Sequence, residues 1–105
     1  MNRLTQQQEK KFKSLFIIFF EGGFEFDQIY EVKIHRSRFQ ITNFEVWDWD
    51  THISVNITLC EPGLLIGRSG KTINAFTKYL NDCLSEEFEN KRIELNIVES
   101  KLWNL

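Results

Sequence analysis

Hydrophobic positions in this chain follow two spacings, and each spacing predicts a set of elements. Phe12, Leu15, Phe16 and Phe19 recur at i, i+3, i+4 and i+7 while Lys10, Lys11 and Lys13 fall largely elsewhere, so residues 4 to 20 are expected to form an amphipathic helix. Thr5 with Gln8 has the spacing of a capping box at its start, and Gly22-Gly23 predict its stop through glycine's free access to positive φ. From Tyr30 to His35 the period changes to two: Tyr30, Val32 and Ile34 alternate with Glu31, Lys33 and His35, the pattern of a strand with one wet face. A second extended stretch, Phe39 to Trp49, slips phase between Ile41 and Phe44, which predicts a bulge or a break. Ile53 to Leu59 is the clearest strand, with Ile53, Val55, Ile57 and Leu59 on one side and Ser54, Asn56 and Thr58 on the other.

Pro62-Gly63 end extended structure, and Gly63 to Ile66 has room for one helical turn. Ile73, Phe76, Leu80, Cys83, Leu84 and Phe88 then form the apolar stripe of a longer helix from Lys71 to about Phe88, expected to lie across the sheet. A last strand, Ile93 to Val98, alternates Ile93, Leu95 and Ile97 against Glu94 and Asn96, and Ser100 to Leu105 read as a loose tail. The order helix, strand, strand or hairpin, strand, short helix, long helix, strand predicts an α+β fold with its helices packed on one face of a sheet.

A length of 105 residues with 42% apolar content suits one domain over 1–105 with one core. The net charge is −2, so any polyanion would have to be held by a local basic patch and not by the field of the whole molecule. Cys60 and Cys83 stand 23 positions apart without CxxC spacing, which predicts free thiols and neither a disulfide framework nor a metal site. Leu15 to Phe20, the most apolar run, is six residues long against the roughly 20 that a spanning helix needs. More than a dozen mostly polar residues precede that run and no small-residue cleavage site follows it, so neither a membrane nor a secretory route is expected. In the reduced, intracellular setting this implies, Asn56-Ile57-Thr58 reads as strand sequence and not as a glycan site.

The chemistry concentrates in Pro62-Gly63-Leu64-Leu65-Ile66-Gly67-Arg68-Ser69-Gly70-Lys71-Thr72-Ile73. Two glycines three apart leave a turn without Cβ atoms between two helices, where another backbone can approach closely. The long helix begins there, so its first N–H groups and its positive dipole end favour a phosphate. Arg68 and Lys71 add charge, and between Pro62 and Asn81 the chain carries Arg68, Lys71 and Lys78 with no acidic residue. A further cluster of Lys33, His35, Arg36 and Arg38 would extend this patch if the fold brought it to the same side. A nucleotide-binding P-loop is excluded, since that motif needs glycine where Leu65 stands.

From about Ile53 to Glu99 the chain resembles a type II KH domain, the RNA-binding module also carried by the S3 family of small-subunit ribosomal proteins. The hallmark Ile-Gly-x-x-Gly-x-x-Ile is present as Ile66-Gly67-Arg68-Ser69-Gly70-Lys71-Thr72-Ile73, and the final strand ends Ile-Glu-Leu-Asn-Ile-Val-Glu in the manner of that ribosomal family. The resemblance implies a mixed sheet of three or more strands, with residues 53–99 as the minimal core and residues 1–52 as the preceding helix and strands. It also implies single-stranded RNA or DNA in a groove, with Gly67, Arg68, Ser69 and Gly70 clamping about four nucleotides of backbone. Ile66 and Ile73 would line the apolar floor or serve as plain core. Lys71 and Lys78 would supply charge. The last strand and the Glu86 to Arg92 loop would form the far wall, with Lys91 and Arg92 set against the crowded Glu86, Glu87 and Glu89.

The expected partner is single-stranded RNA, with a place in a cytoplasmic or organellar ribosome, beside ribosomal RNA and proteins, as an alternative. A module that docks a protein through its acidic surface and the Trp47-Asp48-Trp49-Asp50 segment is a second alternative. Those tryptophans could stack bases, but core or hairpin packing is the more ordinary use of large aromatics. No nucleophile, metal cluster or paired acid and base is visible, His35 and His52 read as surface residues, and no cofactor or enzymatic activity is expected.

Overall fold

The computed structural model describes residues 2–22, 25–34 and 39–100. Strand β1 (Asn2–Arg3) leads into helix α1 (Gln6–Glu21), followed by a short helix α2 (Glu25–Ile29). Strands β2 (Ile41–Asp48) and β3 (His52–Leu59) come next, then helix α3 (Pro62–Ile66), a 3-10 turn over Arg68–Gly70 and the long helix α4 (Lys71–Leu84). A second 3-10 turn, Ser85–Phe88, precedes the last strand β4 (Arg92–Glu99). The class is α+β, built on a four-stranded mixed sheet in the order β1-β2-β3-β4, antiparallel except for the parallel pair β3 and β4.

Helix α1 forms for the reasons its sequence gives. The Thr5 hydroxyl accepts from the Gln8 N–H at 3.2 Å while the Gln8 side chain accepts from the Thr5 N–H at 3.0 Å, so two backbone donors at the helix start are met. Phe12, Phe16, Phe19 and Phe20 turn inward, and Phe16, Phe19 and Phe20 all pack on Phe76 of α4 with ring centroids 5.2 to 5.6 Å apart. Each buried ring stabilises the fold by roughly 2–3 kcal/mol, so this junction anchors α4. Gly22 takes φ −84°, so the expected positive-φ stop is not what ends α1 there, and Gly23 lies outside the described residues.

The strand expected from Tyr30 to His35 does not form over Tyr30–Ile34, and His35 lies outside the described residues. The segment is the end of α2 followed by a loop tied to Asp27: the Tyr30 N–H bonds the Phe26 carbonyl at 3.0 Å and the Val32 N–H the Asp27 carbonyl at 3.0 Å. Glu31 at φ 51° turns the chain out of the helix. Ile34 is buried while Tyr30 and Val32 pack against the core, so the period-two pattern records a loop laid over apolar side chains without a ladder.

The phase slip in β2 is a register shift between Ile41 and Asn43. Beyond it Phe44 and Val46 join Ile53, Val55, Ile57, Leu59 and Ile93 under the helices. The opposite face is polar, with Asn96 donating to Ser54 and Asn56, both at 2.8 Å. Trp47 and Trp49 belong to the β2–β3 hairpin and not to the buried core, with centroids 6.4 Å apart and the Trp47 indole N–H bonded to Glu45 at 3.0 Å. Ser100, expected in a loose tail, is buried, and its N–H bonds the Leu59 carbonyl at 2.8 Å. Among the described residues no helix is long and apolar enough to cross a membrane.

Candidate nucleic-acid interface

Three departures from ordinary backbone within four residues build the turn between α3 and α4. Gly67 ends α3 at φ 78° with its N–H on the Gly63 carbonyl at 3.0 Å, Ser69 sits at φ 55°, and Gly70 opens α4 at φ 74°. The two glycines are needed for different reasons. A Cβ on Gly67 would lie 2.2 Å from the Thr72 hydroxyl oxygen, whereas one on Gly70 would meet nothing closer than 3.9 Å. Gly67 lets the turn close onto the buried Thr72, and Gly70 supplies only the left-handed angle. Ser69 holds that same unfavourable region without being glycine, a local cost typical of sites that present backbone to a partner.

Arg68 and Ser69 are exposed at the tip. Of the amides expected to face a ligand, those of Gly70 and Lys71 are used inside the turn, by the carbonyls of Gly67 and Arg68. No bond within the described residues reaches the N–H groups of Arg68 and Ser69. These two donors and Arg68 lie in the turn that opens α4, at the positive end of its dipole. Arg68, Lys71 and Lys78 have no ion-pair partner among the described residues, and the first turn of α4 has no acidic residue.

Beside the turn lies an open sheet edge. In the parallel β3–β4 pair the Ser100 N–H reaches Leu59, so the even-numbered residues of β4 bond inward and Ile93, Leu95 and Ile97 turn their backbone groups outward. Asn81 of α4 covers the first of these, its Oδ1 accepting from the Ile93 N–H at 2.8 Å and its Nδ2 donating to the Ile93 carbonyl at 3.0 Å. The outward groups of Leu95 and Ile97 have no partner among the described residues. Ile73, Thr77 and Asn81 share one side of α4, and Asn81 fixes that side toward the β4 edge. α3 and α4 both pack against β4, and the surface bordered by α3, the glycine turn, α4 and this edge strand is called the trough. Ile73 packs against the core, while Ile66 is half-buried and outside the core cluster, leaving it as the apolar residue nearest the turn.

Lys91 and Arg92 are not brought to this turn. α4 is 14 residues long, which separates its ends by about 21 Å, and both residues follow the far end. Lys91 donates to Asp48 at 2.8 Å and to the Trp49 carbonyl at 3.0 Å, a pairing that pushes its pKa up. Arg92 is bound to Glu94 at 2.6 Å, which holds that carboxyl below its usual range. The crowded carboxylates go with them: Glu86 and Glu87 lie in the 3-10 turn after α4, and Glu87 pairs with Lys11 at 2.8 Å. The far wall of the trough is therefore the last strand alone, and Glu86 and Glu87 stand away from the turn. Of the cluster Lys33, His35, Arg36 and Arg38, only the exposed Lys33 lies among the described residues.

Lys78 lies on the same side of α4 as Lys71, roughly 110° round the helix from the Ile73–Asn81 side. His52 approaches Glu94 at 3.9 Å and Thr51 at 3.0 Å, in contacts of surface type. Burial pushes the Cys83 thiol up, so it stays protonated near neutrality. Among the described residues no group of His, Cys, Asp and Glu could hold a metal ion. Sequence reasoning missed the role of Asn81 and the free edge of β4; a carboxamide on the flank of an amphipathic helix was the only signal for the first. No protein-family model matches this chain, and no curated protein matches it.

Proposed function

We propose that this chain is a type II KH-like module that binds single-stranded nucleic acid, RNA in preference, without catalysis. One observation carries the reading: the Gly67–Gly70 turn has an exposed tip, opens a 14-residue helix and holds two N–H groups and an arginine that have no partner among the described residues. A phosphodiester set against it meets backbone donors, the helix dipole and a guanidinium fork at once. The adjoining trough suits bases, which can rest on Ile66 and reach the outward N–H and C=O groups of Leu95 and Ile97. The three cations near the turn without an ion pair among the described residues, Arg68, Lys71 and Lys78, set the electrostatic scale. With a slope of about −0.7 per phosphate neutralised, log affinity falls with log salt at roughly −2.

Replacing Arg68 and Ser69 together by Asp tests this directly. Both side chains are exposed and aspartate tolerates the left-handed angle of Ser69, so far-UV circular dichroism stays unchanged. In fluorescence anisotropy with a single-stranded oligonucleotide, the variant is expected to lose at least tenfold in affinity. Unaltered binding overturns the reading.

A further inference from the structure

Outside the trough, on the other flank of α4, a cavity of about 630 Å³ lies between that helix and the loop after α2. Lys71, Asn74 and Lys78 form its floor on α4, while Ile29, Tyr30 and Glu31 face them. Its size is that of a site for a small charged group with an attached ring. Lys71 and Lys78 are seven residues apart, so they share one face and stand about 10 Å apart along the axis, with Asn74 between them. Neither ammonium has an ion pair among the described residues, and both are exposed. Ile29 is 65% exposed, an apolar surface beside two free cations. The Tyr30 hydroxyl donates to Asp82 at 3.2 Å, which holds the ring in place as a wall.

Lys71 immediately follows Gly70, so the cavity begins one residue beyond the glycine turn. A chain of phosphates passing over that turn meets Lys71 first and can continue along either flank of α4. The β4 trough offers backbone donors and an apolar floor, but its one cation among the described residues of β4, Arg92, is paired with Glu94. The outer flank offers two cations about 10 Å apart along the axis with an amide between them.

We propose that this cavity is a second phosphate-binding subsite, which takes the sugar-phosphate backbone of nucleotides flanking those held at the turn, with Ile29 and Tyr30 as an apolar wall for one sugar or base. The proposal rests on the reading of the turn given above, and it assigns a longer footprint than that turn alone. Glu31 opposes it from the rim, the one carboxylate lining the cavity. Its removal is therefore expected to help.

The test compares oligouridylates of four and ten nucleotides at low salt by anisotropy. The unaltered chain binds the ten-mer at least tenfold more tightly than the four-mer. Lys78→Gln is expected to remove most of that difference, to lower the salt slope for the ten-mer by about 0.7, and to weaken the four-mer by no more than about twofold. Glu31→Gln is expected to strengthen ten-mer binding by about twofold at low salt, in line with the modest worth of exposed charge contacts. A ten-mer affinity and salt slope unaffected by Lys78→Gln overturn the second subsite. The Arg68→Asp, Ser69→Asp variant keeps the two readings apart, since full four-mer binding by that variant overturns the clamp at the turn. Binding of neither oligomer by the unaltered chain overturns both.

Discussion

Single residues at the turn carry unequal constraints. Gly70→Ala meets only the left-handed angle and is expected to cost about 1 kcal/mol. Gly67→Ala meets that angle and an overlap with Thr72 at 2.2 Å, so its loss is expected to exceed about 2 kcal/mol. Urea midpoints of the two variants check the order, and equal losses would mean that Gly67 is not pressed against Thr72. A second constraint is the buried carboxylate of Glu9, which accepts from the Arg3 guanidinium at 3.0 Å and from the Val46 N–H at 3.4 Å. Glu9→Ala orphans the Val46 donor and is expected to cost about 2–3 kcal/mol, while Glu9→Gln keeps an acceptor oxygen and costs less. Tyr30 supplies a pH test. Burial first, and the Asp82 hydrogen bond second, push its hydroxyl up to about 12. The neutral phenol is thus the form the fold favours. Its contribution to stability is complete below pH ~10 and is lost as pH rises toward 12. Tyrosinate absorbance, read on a chain with two tyrosines, should rise late; in Asp82→Asn it should rise earlier but still above the ordinary value.

At the scale of elements, the same periodicity served some segments and misled at others. The helical spacing of Phe12, Phe16 and Phe19 and the alternation from Ile53 to Leu59 describe elements long enough for one buried face to dominate, and both formed close to their expected bounds. β1 has two residues and α2 has five, too few for any period to register, so they exist through partners elsewhere: Arg3 opposite Trp47, and Ile34 bonded to Asp27. The turn itself was legible because Gly67 and Gly70 bracket it and Pro62 opens the helix before it. The edge of β4 was not, because sequence gives a strand's faces but not which of its flanks is left unpaired. Asn81 makes that edge asymmetric by covering Ile93, while Leu95 and Ile97 have no outward partner among the described residues. Asn81→Leu removes three side-chain bonds, to Thr77 and twice to Ile93, and is expected to cost about 1–3 kcal/mol. Faster amide hydrogen exchange at Ile93 than at Glu94 would mark the loss; unchanged exchange at Ile93 would deny Asn81 its role.

Across the whole molecule, charge placement decides what the net value of −2 hides. The sequence gives the residues but not their separation. α4 sets Glu86 and Glu87 about 21 Å from the turn, with Lys11 on one of them, while Lys91 is drawn off to Asp48. The tip that carries Arg68 is thus set apart from Glu86 and Glu87, since exposed charges farther apart than about 8 Å are largely screened at physiological salt. The most direct test is an amide NMR titration of the chain with a single-stranded RNA oligonucleotide. Binding at the turn predicts the largest shifts at Gly67 to Lys71 and at Leu95 and Ile97, with Trp47, Trp49 and Lys91 unmoved. Shifts confined to the Trp47–Trp49 hairpin, or none at saturating RNA, would contradict it.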